Sequence, residues 1–111
     1  MAYFKNFDHH MAQLIHLRDM DLADKWAESF DATVTEAELQ DTQIRDAAII
    51  FASNIWRSSE EDYLDATPGE YKAQLKGCWE RRADLFLKEA RSLHPEACDI
   101  TLNEIEQEVQ K

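Results

Sequence analysis

Thr-x-x-Glu tetrads at Thr35–Glu38, Thr67–Glu70 and Thr101–Glu104 fix where helices of this chain are expected to begin. In such a tetrad the Thr hydroxyl accepts a backbone N–H that the first helical turn leaves without a partner. The Glu carboxylate reaches back to the N–H of the Thr. Pro68 strengthens the second tetrad, because its missing N–H costs nothing at the first helical position. Ser58-Ser59-Glu60-Glu61 offers a further start, for a short connecting helix before Thr67. His94-Pro95 reads as a stop, since proline disfavours helical geometry in the residue before it.

The apolar spacing between these signals is helical. Over residues 4–30, Phe4, Phe7, Met11, Leu14, Ile15, Leu22, Trp26 and Phe30 fall on one stripe, with a break expected near Asp19, where Asp19 and Asp21 interrupt it. Over residues 36–57, the run from Ala47 to Ala52 with Ile55 and Trp56 is apolar nearly all round, which predicts the central, most buried helix. Over residues 68–93, Tyr71, Leu75, Cys78, Trp79, Leu85, Phe86 and Leu93 form a single face. Residues 101–110 carry Leu102, Ile105 and Val109 at spacings of three and four. No strand alternation or internal repeat competes with this reading. Two glycines and two prolines leave little turn material for a many-stranded sheet. The expected fold is all-α: one domain over residues 1–111, a small helical bundle of three long helices plus a short connecting helix and a short C-terminal helix.

Charge narrows the function classes. The 111 residues carry 23 acids and 12 Lys or Arg, a net charge of −11. Residues 1–70 hold 15 acids and 5 bases, whereas residues 71–91 hold 3 acids and 6 bases. Direct binding to nucleic acid or to an anionic membrane is disfavoured, because neutralising phosphate needs clustered Lys and Arg. MAYFKNFDHH lacks the basic-then-apolar order of a signal peptide, and the longest apolar run, Ala47–Ala52, is too short to span a bilayer. Cys78 and Cys98 cannot build a disulfide framework. A soluble protein of the reducing cytoplasm is expected.

The chemistry-bearing residues form no catalytic signature. Two metal ligands on one helix must stand three or four residues apart to reach one ion. His9 and His16 are seven apart, and His16 with Asp19 is half a site. Carboxylate pairs at i,i+3 occur at Asp21/Asp24, Glu28/Asp31, Glu38/Asp41, Asp62/Asp65 and Glu96/Asp99. Helices presenting such pairs hold Mg²⁺ in all-α nucleotide pyrophosphatases. An acid content this high produces about five such pairs by chance, so the five present carry no signal. No nucleophile elbow and no phosphate-binding glycine loop occurs, Gly69 and Gly77 being isolated. Cofactors and metals are not expected. Arg18 and Arg82 project from apolar stripes, and Asp46 and Glu89 are candidate partners that would satisfy them.

The acidic rows remain. Asp21, Asp24, Glu28 and Asp31 share one edge of the first helix; Glu36, Glu38 and Asp41 open the next; Glu60, Glu61, Asp62, Asp65 and Glu70 form a second cluster. Such rows can imitate nucleic-acid phosphates and steer a basic partner electrostatically. The expected function is a non-catalytic acidic binding protein that blocks a larger protein with a basic, including a nucleic-acid-binding, surface. In size and charge the chain resembles small acidic anti-defence proteins of phages and mobile elements, and immunity proteins. The alternatives are an all-α Mg²⁺-dependent nucleotide hydrolase using Asp21, Asp24, Glu38 and Asp41, and a structural adaptor. The adaptor would dimerise through its Trp and Tyr residues and through Leu17 and Met20, which lie off the main stripe.

Overall fold

The computed structural model describes residues 2–66, 78–96 and 98–111, with side chains at 13, 14, 16–62, 79–96 and 98–111. Among these residues four helices follow in chain order: α1 (Ala2–Glu36), α2 (Asp41–Ala66), α3 (Cys78–Leu93) and α4 (Leu102–Val109). Among the described residues there is no strand, and the architecture is the expected all-α bundle. The expected helix start at Thr67–Glu70, and the side chains of Tyr71, Leu75 and Cys78, lie outside the described residues. The molecule measures 54 × 27 × 19 Å. Its long axis is set by α1, which at a rise of about 1.5 Å per residue runs for about 50 Å.

Both α2 and α3 touch every other helix, with α3 lying against α1 and α2, and α4 folded back onto α2. The core is built from Phe30 and Val34 of α1, Ile44, Ala48, Ala52, Ile55 and Trp56 of α2, and Ala83, Phe86, Leu87 and Ala90 of α3. Cys98, Ile100 and Ile105 close it. Phe30 is its hub, meeting Phe51 and Phe86 edge-on at ring-centre distances of 5.4 and 5.6 Å. Each fully buried Phe, Leu or Ile contributes about 1.5–3 kcal/mol relative to exposure, and Phe30, Phe86, Leu87, Ile100 and Ile105 are all in that state.

Several local expectations are corrected. No break occurs at Asp19: α1 is continuous, and Asp19 is fully buried against a cation rather than turned to solvent. The buried face of α1 is Asp19, Ala23, Ala27, Phe30 and Val34, so Leu14, assigned to the core stripe, stands 48% exposed. Small alanines let α3 approach closely, which a search for large apolar residues overlooks. On α3 the buried set is Arg82, Ala83, Phe86, Leu87 and Ala90, while Leu93 is exposed. α2 is not apolar all round in its surroundings, since Ile50 is 51% exposed.

Thr35–Glu38 ends a helix instead of starting one. The Leu39 N–H donates to the Val34 carbonyl at 3.2 Å, and the Glu38 N–H to the Thr35 carbonyl at 3.3 Å. Glu38 itself is left-handed, at φ 51°. This is a Schellman termination, and its usual apolar contact between flanking residues is available from Val34 and Leu39, both in or against the core. The next helix begins two residues later. Ile44 N–H closes its first turn on the Gln40 carbonyl at 2.8 Å, and the Gln43 side chain accepts the Gln40 N–H at 2.9 Å.

The expected short helix at Ser58–Glu61 is absent, because α2 runs unbroken to Ala66. Ser59 is fully buried and accepts a hydrogen bond from α3, so it caps nothing. The other two signals act as expected. α3 stops at Leu93, just before His94-Pro95. Thr101 caps α4 with both arms of its box formed, Thr101 Oγ1 accepting from Glu104 N–H and Glu104 accepting from Thr101 N–H.

Candidate functional site

The carboxylates separate into two groups. With 3.6 residues per turn, Asp21, Asp24, Glu28 and Asp31 fall within an arc of about 80° along α1, Asp21 and Glu28 turned away from Ala23, Ala27, Phe30 and Val34 and Asp31 bordering them. Asp24 and Glu28 are exposed. Asp21 pairs with Lys25 one turn on, at 3.0 Å, with both side chains 66% exposed, a geometry worth only about 0.3–0.5 kcal/mol. Asp31 accepts from His94 Nε2 at 2.8 Å, which ties α1 to the end of α3. His94 also meets Phe30 edge-on, with ring centres 5.8 Å apart.

Glu36 ends α1 off that arc and Glu38 follows in the α1–α2 turn, both exposed. Asp41 begins α2 and borders a shallow groove with Ile44, Leu93, His94, Pro95 and Glu96. The second cluster stands apart from this one. Asp62 lies 21 residues beyond Asp41 on α2, about 30 Å along the helix. Glu61 and Asp62 are exposed, Glu60 is half-buried, and the side chain of Asp65 lies outside the described residues.

Asp21, Asp24, Glu38 and Asp41, the ligand set expected for a hydrolase, are not brought together. About 18 Å of helix separates Asp24 from Glu36. Among the described residues no group of three His, Cys, Asp or Glu side chains is placed to hold a metal. His16 is exposed, and the side chains of His9 and His10 lie outside the described residues.

Sequence reasoning missed the partner of Arg82. Neither Asp46 nor Glu89 reaches it; both are exposed. Instead Arg82 Nε donates to Asp19 Oδ1 at 2.7 Å and Nη1 donates to Ser59 Oγ at 3.1 Å. Asp62 Oδ2 stands 3.9 Å from Nη1, and Arg81 Nη2 stands 3.7 Å from Asp19 Oδ2. The cluster thus joins α1, α2 and α3. An acid and a base, each on the apolar side of its own helix, were the available signal.

Arginines elsewhere are turned onto the C-terminal segment. Arg45 pairs with Glu104 and also donates to the Asp99 carbonyl at 3.4 Å. Arg57 donates to the Glu108 and Val109 carbonyls at 2.7 and 3.3 Å, and Arg91 to the Ile100 carbonyl. The Arg45 hydrogen bond, with that from the Thr101 N–H, holds the Glu104 carboxyl below the ordinary carboxylate range. Arg45 is raised in turn, chiefly by the same bond. Burial pushes the Cys98 thiol up, with Arg91 opposing weakly. Arg57 and Arg91 are engaged by neutral carbonyls, whereas Arg45 neutralises Glu104. Asp24, Glu28, Glu36 and Glu38 stay exposed.

No described helix is long and apolar enough to cross a membrane. Comparison of the chain with models of protein families, with curated proteins and with solved structures gives no match in any of the three.

Proposed function

We propose that this is a non-catalytic acidic binding protein that neutralises a larger protein by covering its basic surface, in the manner of an inhibitor, an anti-defence protein or an immunity protein. The carboxylate line of α1 carries the reading. Asp21, Asp24 and Glu28 face solvent along one helix edge, with Lys25 the one lysine pairing there among the described residues. Arg45, Arg57 and Arg91 meanwhile fasten the C-terminal segment. Aligned like charges cost the helix a few tenths of a kcal/mol per pair, and a basic partner converts that repulsion into attraction. Electrostatic complementarity of this kind mainly raises the association rate and is weakened by salt.

The test compares two baits in an extract of the source cells, the native chain and Asp21→Asn/Asp24→Asn/Glu28→Gln. The expected result is a basic protein retained by the native chain at low salt, lost at high salt and lost from the triple variant. Retention indifferent to both salt and the three substitutions overturns the reading.

A further inference from the structure

The carboxylate line does not occupy the outer face of α1 alone. Leu14 is 48% exposed, Leu17 63% and Met20 46%, on successive turns of the helix. At about 100° per residue, Leu14, Leu17, Asp21, Asp24 and Glu28 fall within an arc of about 80°, with Met20 about 40° outside it, toward Ala27. That arc lies across the helix from Ala23, Ala27, Phe30 and Val34. A single exposed leucine is ordinary. Two large apolar side chains in register with an acidic line make one composite strip, apolar at one end and anionic at the other.

The charge pattern selects the occupant. A second copy laid parallel along this strip would set acid line against acid line. Laid antiparallel in full overlap, it would bury Asp21, Asp24 and Glu28 of one copy under Leu14 and Leu17 of the other. Crossed at the apolar end alone, two side chains bury far less than the roughly 1,000 Å² that a stable interface needs. An anionic lipid surface is repelled by the same acids. We infer that the partner is a protein whose surface carries an apolar patch seated on Leu14 and Leu17, beside lysines or arginines that meet Asp21, Asp24 and Glu28. This rests on the binding role proposed above and adds to it the anchor. The charges steer and set register; the desolvated apolar end slows dissociation.

Two synthetic probes test it: an amphipathic helix with a leucine stripe flanked by lysines, and its charge-matched counterpart with glutamine for each leucine. The expected result is binding of the leucine peptide about tenfold or more tightly, with NMR shift changes at Leu14, Leu17 and the neighbouring acids. Leu14→Ser/Leu17→Ser should retain the native melting temperature and reduce the leucine peptide to the affinity of the glutamine one. Equal affinity of the two peptides for the native chain overturns the anchor and leaves the acidic reading standing. Binding of neither peptide overturns both. A dimer of the protein alone that is abolished by Leu14→Ser/Leu17→Ser overturns the anchor in favour of a second copy. A melting temperature lowered by many degrees in that variant assigns the leucines to the fold and likewise overturns it.

Discussion

Arg82 and Asp19 are joined by a hydrogen bond of 2.7 Å between side chains that are 3% and 0% exposed, 63 residues apart in the chain. Breaking this bond leaves the remaining buried charge without its main partner, with Arg81 at 3.7 Å from Asp19 and Asp62 at 3.9 Å from Arg82 standing further off. Removing one partner of a buried pair costs up to about 3–5 kcal/mol. Arg82→Met and Asp19→Leu are each expected to lower unfolding free energy by that amount in urea titration. The double variant Asp19→Leu/Arg82→Met is expected to recover more than half of the loss, because neither charge then remains. Additive losses would show that the two side chains do not act as a pair.

Glu38 holds a left-handed backbone at φ 51°, where a side chain costs about 1–2 kcal/mol. Glycine has no such penalty but gives up more chain entropy. Glu38→Gly is therefore expected to stabilise by about 0.5–1 kcal/mol, raising the denaturation midpoint without altering its slope. A loss of stability would mean that the Glu38 side chain makes a contact worth more than the strain.

The acid limb of stability should depend on Glu104. Its carboxyl is held below its ordinary value of 4.5 by Arg45 and by the Thr101 N–H. The folded state therefore binds this proton less readily than the unfolded chain. The resulting stabilisation is present above the unfolded value and is lost as pH falls through the lower folded one. Glu104→Gln should flatten the decline of stability below about pH 4.5, measured by urea unfolding at successive pH values. An unchanged acid slope contradicts this assignment.

Cys98 is fully buried, and desolvation raises its thiol. Thiolate is the reactive form, so a disulfide reagent should modify Cys98 only through opening of the fold. In a Cys78→Ser background, the labelling rate is expected to rise steeply with sub-denaturing urea. Fast labelling in native buffer would place the sulfur at the surface.

The physical reach of each signal decides what could be read in advance. Thr101–Glu104 is complete within four residues, and both its hydrogen bonds form as its letters imply. The same letters at Thr35–Glu38 mislead because Val34 and Leu39 bracket them. Once those two apolar side chains join the core, the chain must turn between them. Asp19 looks like an interruption to any reading confined to one helix, since the group that justifies its burial belongs to α3. Ser59 misleads in the same way, its hydroxyl serving Arg82 and not a helix start. For the candidate site, the acidic line of α1 follows from spacing alone. The exposure of Leu14 does not, because it depends on Ala23 and Ala27, whose small size carries little weight in an apolar stripe yet sets which way the helix faces.

One carboxylate gives α4 an unusual character. Glu104 shapes the first turn through Thr101 while its other oxygen holds Arg45 of α2. An eight-residue helix is too short to persist by itself in water. Coiling and docking of the tail are thereby a single event: a severed peptide of residues 98–111 should be a random chain, and supplying it to the truncated remainder should restore both at once.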